Sequence, residues 1–118
     1  ARRGALAVGV LWGLWHLPLN LFFYSPETTL QSIASQLVVC MTLGVFFTFA
    51  YEKCGKNIWV PTLLHYLNNN MILVWTGTAD ISNQVIRWAD GGVSAVMYAA
   101  VFLPFLAAKC YRRGEKAV

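Results

Sequence analysis

Four long apolar stretches separated by short polar breaks take up most of the chain: residues 5–24, 30–51, 58–75 and 93–110. Each is close to the length of about 20 residues (range about 17–25) that an α-helix needs to cross a bilayer. The pattern predicts an all-α, polytopic membrane protein, a bundle of four transmembrane helices in a single domain over residues 1–118. The breaks are built from residues that stop helices. Ser25-Pro26-Glu27 closes the first run, because a proline ring disfavours helical backbone in the residue before it. Glu52-Lys53-Cys54-Gly55-Lys56-Asn57 is a short charged turn. Residues 76–92 are longer and polar, with Val85, Ile86 and Trp88 placed to lie along the membrane surface as a short amphipathic piece.

Composition agrees with the pattern. The chain is 58% hydrophobic and 12% charged, where soluble domains run at about 45–50% and about 25%. The basic residues then give the spans a direction. Arg2, Arg3, Lys53, Lys56, Lys109, Arg112, Arg113 and Lys116 fall on one side of the predicted membrane, and only Arg87 on the other. Lysine and arginine collect on the cytoplasmic side, so both termini are expected there, in a multi-pass protein of a bacterial inner membrane. The net charge of +4 does not signal a nucleic-acid partner, because no aromatic-interleaved basic patch is formed. The three cysteines show neither metal-ligand spacing nor a disulfide framework. The first run is too long for a signal peptide and lacks a small-residue cleavage site.

Polar groups inside spans are expensive and are functional candidates by default. The first span carries His16 and Asn20; the third carries His65, Asn68, Asn69 and Asn70. The second has Ser32, Ser35, Gln36 and Thr42, and the fourth little beyond Ser94. Polarity is thus concentrated on spans one and three, which run in the same direction. At 1.5 Å per residue, His16 and Asn69 each lie about 16 Å along their runs, and His65 about 10 Å. His65 and Asn69, four apart, share one helical face, with Asn68 at its border. Such groups serve either as interhelical hydrogen bonds worth under ~1 kcal/mol each or as a polar pocket. In a pocket, neutral imidazole acts as base or metal ligand and an amide steadies an oxyanion. Their common depth favours the pocket. Trp15, Trp59, Trp75 and Trp88 read as interfacial anchors or packing residues, whereas Trp12 sits one turn before His16 on its face. Pro18 is expected to kink the first span and free a carbonyl. Pro61 falls in the first turn of the third, where a missing N–H matters little.

Trp12-Gly13-Leu14-Trp15-His16 resembles the second motif, usually Phe-x-x-x-His, of the CAAX-protease and bacteriocin-processing (CPBP, or Abi) family of intramembrane proteases. His65-Tyr66-Leu67-Asn68-Asn69 resembles its third motif, His-x-x-x-Asn. The resemblance covers residues 1–75, with Trp12 in place of the usual phenylalanine. The first motif, Glu-Glu-x-x-x-Arg, does not occur, and Glu27, Glu52 and Glu115 all lie in loops or tails. The chain is therefore expected to be the C-terminal part of a larger helical bundle, partnered by an upstream helix that carries the glutamates.

What the resemblance implies is an endopeptidase that hydrolyses a peptide bond near the membrane. His16, with a first-motif glutamate, would activate water; His65 and Asn69 would hold the oxyanion, supported by Trp12 and Asn68. The 118 residues alone would be inactive. The partners implied are membrane lipids and a peptide or membrane-protein substrate. A divalent metal such as zinc, bound by His16 and His65, is the secondary option, since two histidines fall short of the usual three protein ligands. Two other readings compete: a non-catalytic bacteriocin-immunity or scaffold protein, and a transporter segment, whose sites often use interrupted helices. The absence of repeats and of buried acids argues against the transporter.

Overall fold

The computed structural model describes residues 2–78 and 80–115. Lys116 of the basic set lies outside the described residues, as does the side chain of Trp75. No strand occurs among the described residues. Helix α1 (Arg2–Trp15) runs to His16, which sits in a turn. It continues as α2 (Leu17–Leu19) and a π-helical turn, Asn20–Tyr24. A 3₁₀ turn, Pro26–Thr28, leads into α3 (Thr29–Lys53), followed by α4 (Trp59–Thr76) and α5 (Trp88–Phe102). After α5 come a 3₁₀ segment, Leu103–Ala107, and the short α6 (Lys109–Glu115).

Among the described residues, three helical stretches are long and apolar enough to cross a membrane: Arg2–Tyr24, Pro26–Lys53 and Trp88–Ala107. Helix α4 is not among them, although it occupies the expected third run. Its 18 residues include His65 and the three consecutive asparagines, and such groups are unfavourable in lipid.

The last run differs from expectation at both ends. Helix α5 begins at Trp88, five residues early, because Arg87 and Asp90 form a bidentate pair across its first turn (Nε–Oδ2 2.8 Å, Nη2–Oδ1 3.1 Å). A carboxylate in the first turn also suits the helix dipole. The helix stops at Phe102 because Pro104 lacks the N–H that would extend it. Residues 84–87 form no helix, Arg87 is extended, and Trp88 opens α5. The Asn83 N–H donates to the Phe23 carbonyl (2.9 Å), Gln84 to Tyr24 (2.6 Å) and Ile86 to Thr28 Oγ1 (2.9 Å). A helix end leaves its last carbonyls without partners, and the loop supplies them.

Helix α3 is the centre of the bundle, lying against α1 on one side and α5 on another. The α1–α3 crossing is close because Gly9 and Gly13, one turn apart, meet Gly44 and Leu37. A Cβ added at Gly9 would come within 2.5 Å of the Met41 Cα and 2.9 Å of the Cys40 carbonyl. Small residues let backbones approach where lipid offers no hydrophobic drive between helices. Gly9→Ala is therefore expected to destabilise the fold by about 1–3 kcal/mol, the usual range for overpacking. The readout is the melting temperature in detergent, and Gly4→Ala, where a Cβ meets nothing within 4 Å, should not lower it.

The two ends of the chain meet at one end of the bundle. Tyr111 is fully buried beside Ala5 and Val45, and its hydroxyl donates to the Val45 carbonyl. Burial pushes the phenol up to about 12, so this donor stays protonated. The Arg2 Nε donates to the Leu106 carbonyl at 2.9 Å. Elsewhere large apolar side chains such as Leu11, Phe22, Val74 and Val96 face outward, as lipid-facing positions would.

Candidate functional site

His16 sits where α1 breaks, and the break determines its chemistry. Its backbone N–H turns to the Gly13 carbonyl at 3.1 Å, three residues back, so the Trp12 carbonyl receives no helical bond from it. The His16 ring takes that place, with Nδ1 2.7 Å from the Trp12 oxygen. A carbonyl can only accept, so Nδ1 is the donor; in the neutral ring the lone pair is then on Nε2. A histidine held this way has a defined tautomer and one nitrogen available as a base. Pro18, two residues on, keeps the helix from closing normally around it.

His16 lines a cavity of about 360 Å³ together with Asn20, Ser32, Gln36, Asn68 and Asn69. Ile81, Gln84 and Ile86 of the loop tied to the π turn also line it. Among the residues lining it there is no Asp, Glu, Lys or Arg. The expected acidic companion of His16 is therefore not among them.

His65 opens onto a second, more apolar cavity of about 450 Å³, with Val8, Trp12, Phe47 and Pro61. The Trp12 ring stands edge-on to His65, 4.8 Å between centroids, and 6.0 Å from His16. Phe47 completes the cluster, 5.8 Å from Trp12 and 6.0 Å from His65. Trp12 thus touches both histidines. The level of Trp12 on the first span matches that of His65 on α4, and His16 and Asn69, each one turn further on, share the polar cavity. This is the register of two helices running in the same direction. The structure therefore brings His16, Asn68 and Asn69 together and puts His65 in the neighbouring cavity, across Trp12.

Asn20, Ser32 and Gln36, polar span positions that lie outside the two histidine motifs, also line this cavity. Asn20 is only 1% exposed. The Ser32 hydroxyl donates to its Oδ1 at 2.9 Å, while its Nδ2 is buried without a hydrogen-bond partner among the described residues. An unmet buried donor costs about 1–3 kcal/mol. The Gln36 Nε2 donates to Cys40 Sγ at 3.3 Å. Ser32 and Gln36 have the same i, i+4 spacing as His65 and Asn69, which was the available signal. The cavity thus draws polar side chains from α3 as well as from the first span and α4.

A catalytic zinc takes three protein ligands. Among the described residues no three His, Cys, Asp or Glu side chains converge, and His16 and His65 open onto different cavities. The described residues do not complete such a ligand set.

Residues 2–71 match the family model for type II CAAX prenyl endopeptidases, Rce1-like. That stretch is more than half of the chain and includes Trp12, His16, His65 and Asn69. No curated protein matches, and no solved structure does.

Proposed function

The chain belongs to the Rce1-like family of type II CAAX prenyl endopeptidases, and from that premise we propose that it carries the histidine and asparagine part of an intramembrane peptidase site. The observation that supports this most directly is His16, its Nδ1 committed to the Trp12 carbonyl, in a polar cavity shared with Asn69. In the proposed reaction a water oxygen attacks the scissile carbonyl carbon while His16 Nε2 takes the water proton. The carbonyl oxygen becomes an oxyanion, and the Asn69 amide donates to it. Collapse breaks the C–N bond, and the imidazolium returns its proton to the departing amine. His65 supports the site from the next turn, where its ring holds Trp12, and through it His16, in place.

The imidazolium needs a carboxylate beside it, and none lines the cavity. The proposal therefore requires a glutamate from outside the described residues, on an upstream helix, and expects these 118 residues alone to be inactive. It includes α4 as a fourth crossing, with Asn68 and Asn69 turned to the cavity. Both termini are then cytoplasmic in a multi-pass protein of a bacterial inner membrane, following the side on which the basic residues collect.

The test is cleavage by the full-length protein, in membrane vesicles, of an internally quenched peptide ending in a prenylated CAAX sequence. The expected result is release of the C-terminal fragment, with the unprenylated peptide cleaved far more slowly. Cleavage of neither peptide would return the chain to a non-catalytic role.

A further inference from the structure

Among the described residues lining the polar cavity, Asn20 carries a buried side-chain donor without a partner. It opens the π turn that follows Pro18, and its backbone N–H bonds the His16 carbonyl at 2.9 Å. The two side chains therefore lie one turn apart on the same side of the first span, and both line the polar cavity. The Asn20 side chain reaches α3, where the Ser32 hydroxyl donates to Oδ1. The other edge, Nδ2, is buried and unpartnered, a preorganised donor waiting for an acceptor.

The character of the cavity says what that acceptor is. No charged side chain among the described residues lines it, and the upstream glutamate that the peptidase reading adds would repel an anionic substrate group, so a carboxylate or phosphate of the substrate is disfavoured there. A neutral acceptor suits an amide donor, and the neutral acceptor that a peptide substrate brings with every residue is its main-chain carbonyl. We propose that Asn20 binds substrate directly: its Nδ2 donates to a main-chain carbonyl next to the scissile bond and holds the peptide against His16, with Ser32 orienting the amide. This rests on the peptidase reading above and adds to it a residue outside the two histidine motifs.

The experiment compares two prenylated peptides in the full-length protein. One has the natural backbone; in the other, an amide flanking the scissile bond is replaced by a trans-alkene, which removes the carbonyl without adding a charge, each flanking position being tried in turn. For the wild-type protein, removing the carbonyl that Asn20 binds should lower kcat/KM about tenfold, the effect of one neutral hydrogen bond. Asn20→Leu, of similar size without the donor, should lose a similar factor on the natural peptide, mainly through KM. It should then show no further loss on the modified one. Ser32→Ala, which frees the amide to rotate, should give a smaller loss of the same kind.

Equal, additive losses in wild-type and Asn20→Leu proteins at every flanking position would overturn the proposal and leave Asn20 a structural residue. So would an Asn20→Leu protein that melts and cleaves like the wild type. The peptidase reading is tested separately in the same assay: if the wild-type protein cleaves and His16→Ala does not, that reading stands whatever Asn20 does. If the wild-type protein cleaves neither peptide, both fall. Should Asn20→Leu fail to fold, Ser32→Ala carries the comparison between the two peptides alone, with the same additive result overturning the proposal.

Discussion

His16→Ala in the full-length protein should lower kcat for peptide hydrolysis by about 100- to 10,000-fold, the range contributed by a positioned general acid–base, with KM little changed. The argument begins at the helix break. Because the His16 N–H bonds Gly13, the Trp12 carbonyl is free to accept from Nδ1, and the proton is removed from the nitrogen that must do the chemistry. The base is therefore preorganised in one tautomer. His16→Gln is a stricter variant, since its amide can still donate to the Trp12 carbonyl and fill the site. It should be as inactive as the alanine variant, because an amide cannot take a proton from water. Equal melting temperatures in detergent for the three proteins would separate lost chemistry from lost structure. Full activity in either variant would remove His16 from the mechanism.

Much of the architecture was legible because the apolar runs are bounded by strong stops. The first three runs were placed at 5–24, 30–51 and 58–75, and the helical stretches cover Arg2–Tyr24, Thr29–Lys53 and Trp59–Thr76. Hydropathy locates the last span but misplaces its ends for a definite reason. It measures compatibility with lipid and is blind to backbone hydrogen bonding. Pro104 ends a helix without interrupting the apolar run, and the Arg87–Asp90 pair starts one in polar sequence. The close crossing at Gly9, Gly13 and Gly44 was missed because glycine is neutral to a hydropathy reading.

The candidate site shows a similar division. Helical spacing established that His65 and Asn69 share a face of α4, and counting rise per residue put His16 and Asn69 at one depth. Spacing does not say which side of a bulky neighbour each side chain falls. Trp12 decides that, standing against His65 in one cavity while Asn69 lines the other with His16. Asn20 lies four residues after His16, so helical spacing already puts the two on one face; what spacing does not show is the Ser32 hydroxyl on α3 that pairs with its amide.

Asn69→Ala should lower kcat by about 100- to 1,000-fold, the effect of removing one oxyanion donor, with KM again nearly unchanged because the donor acts on charge that exists only in the transition state. Three adjacent asparagines make this a sharp test. Asn70 lies on the exposed side of α4 and its Nδ2 donates to the Tyr66 carbonyl of its own helix at 2.8 Å, so Asn70→Ala should leave turnover intact. Asn68 lines the cavity beside Asn69 without occupying the motif position, and Asn68→Ala is expected to cost less than about tenfold, the scale of a single neutral hydrogen bond. Asn69→Asp is the decisive companion, because it keeps the size of the side chain and places an acceptor where the donor stood. A carboxylate there would repel the developing oxyanion, so this variant should be at least as impaired as the alanine one. Activity that fell equally for all three asparagines would mean that α4 contributes a generally polar face. A loss confined to Asn69 would mean that one amide, on the level of His16, meets the charge that forms during hydrolysis.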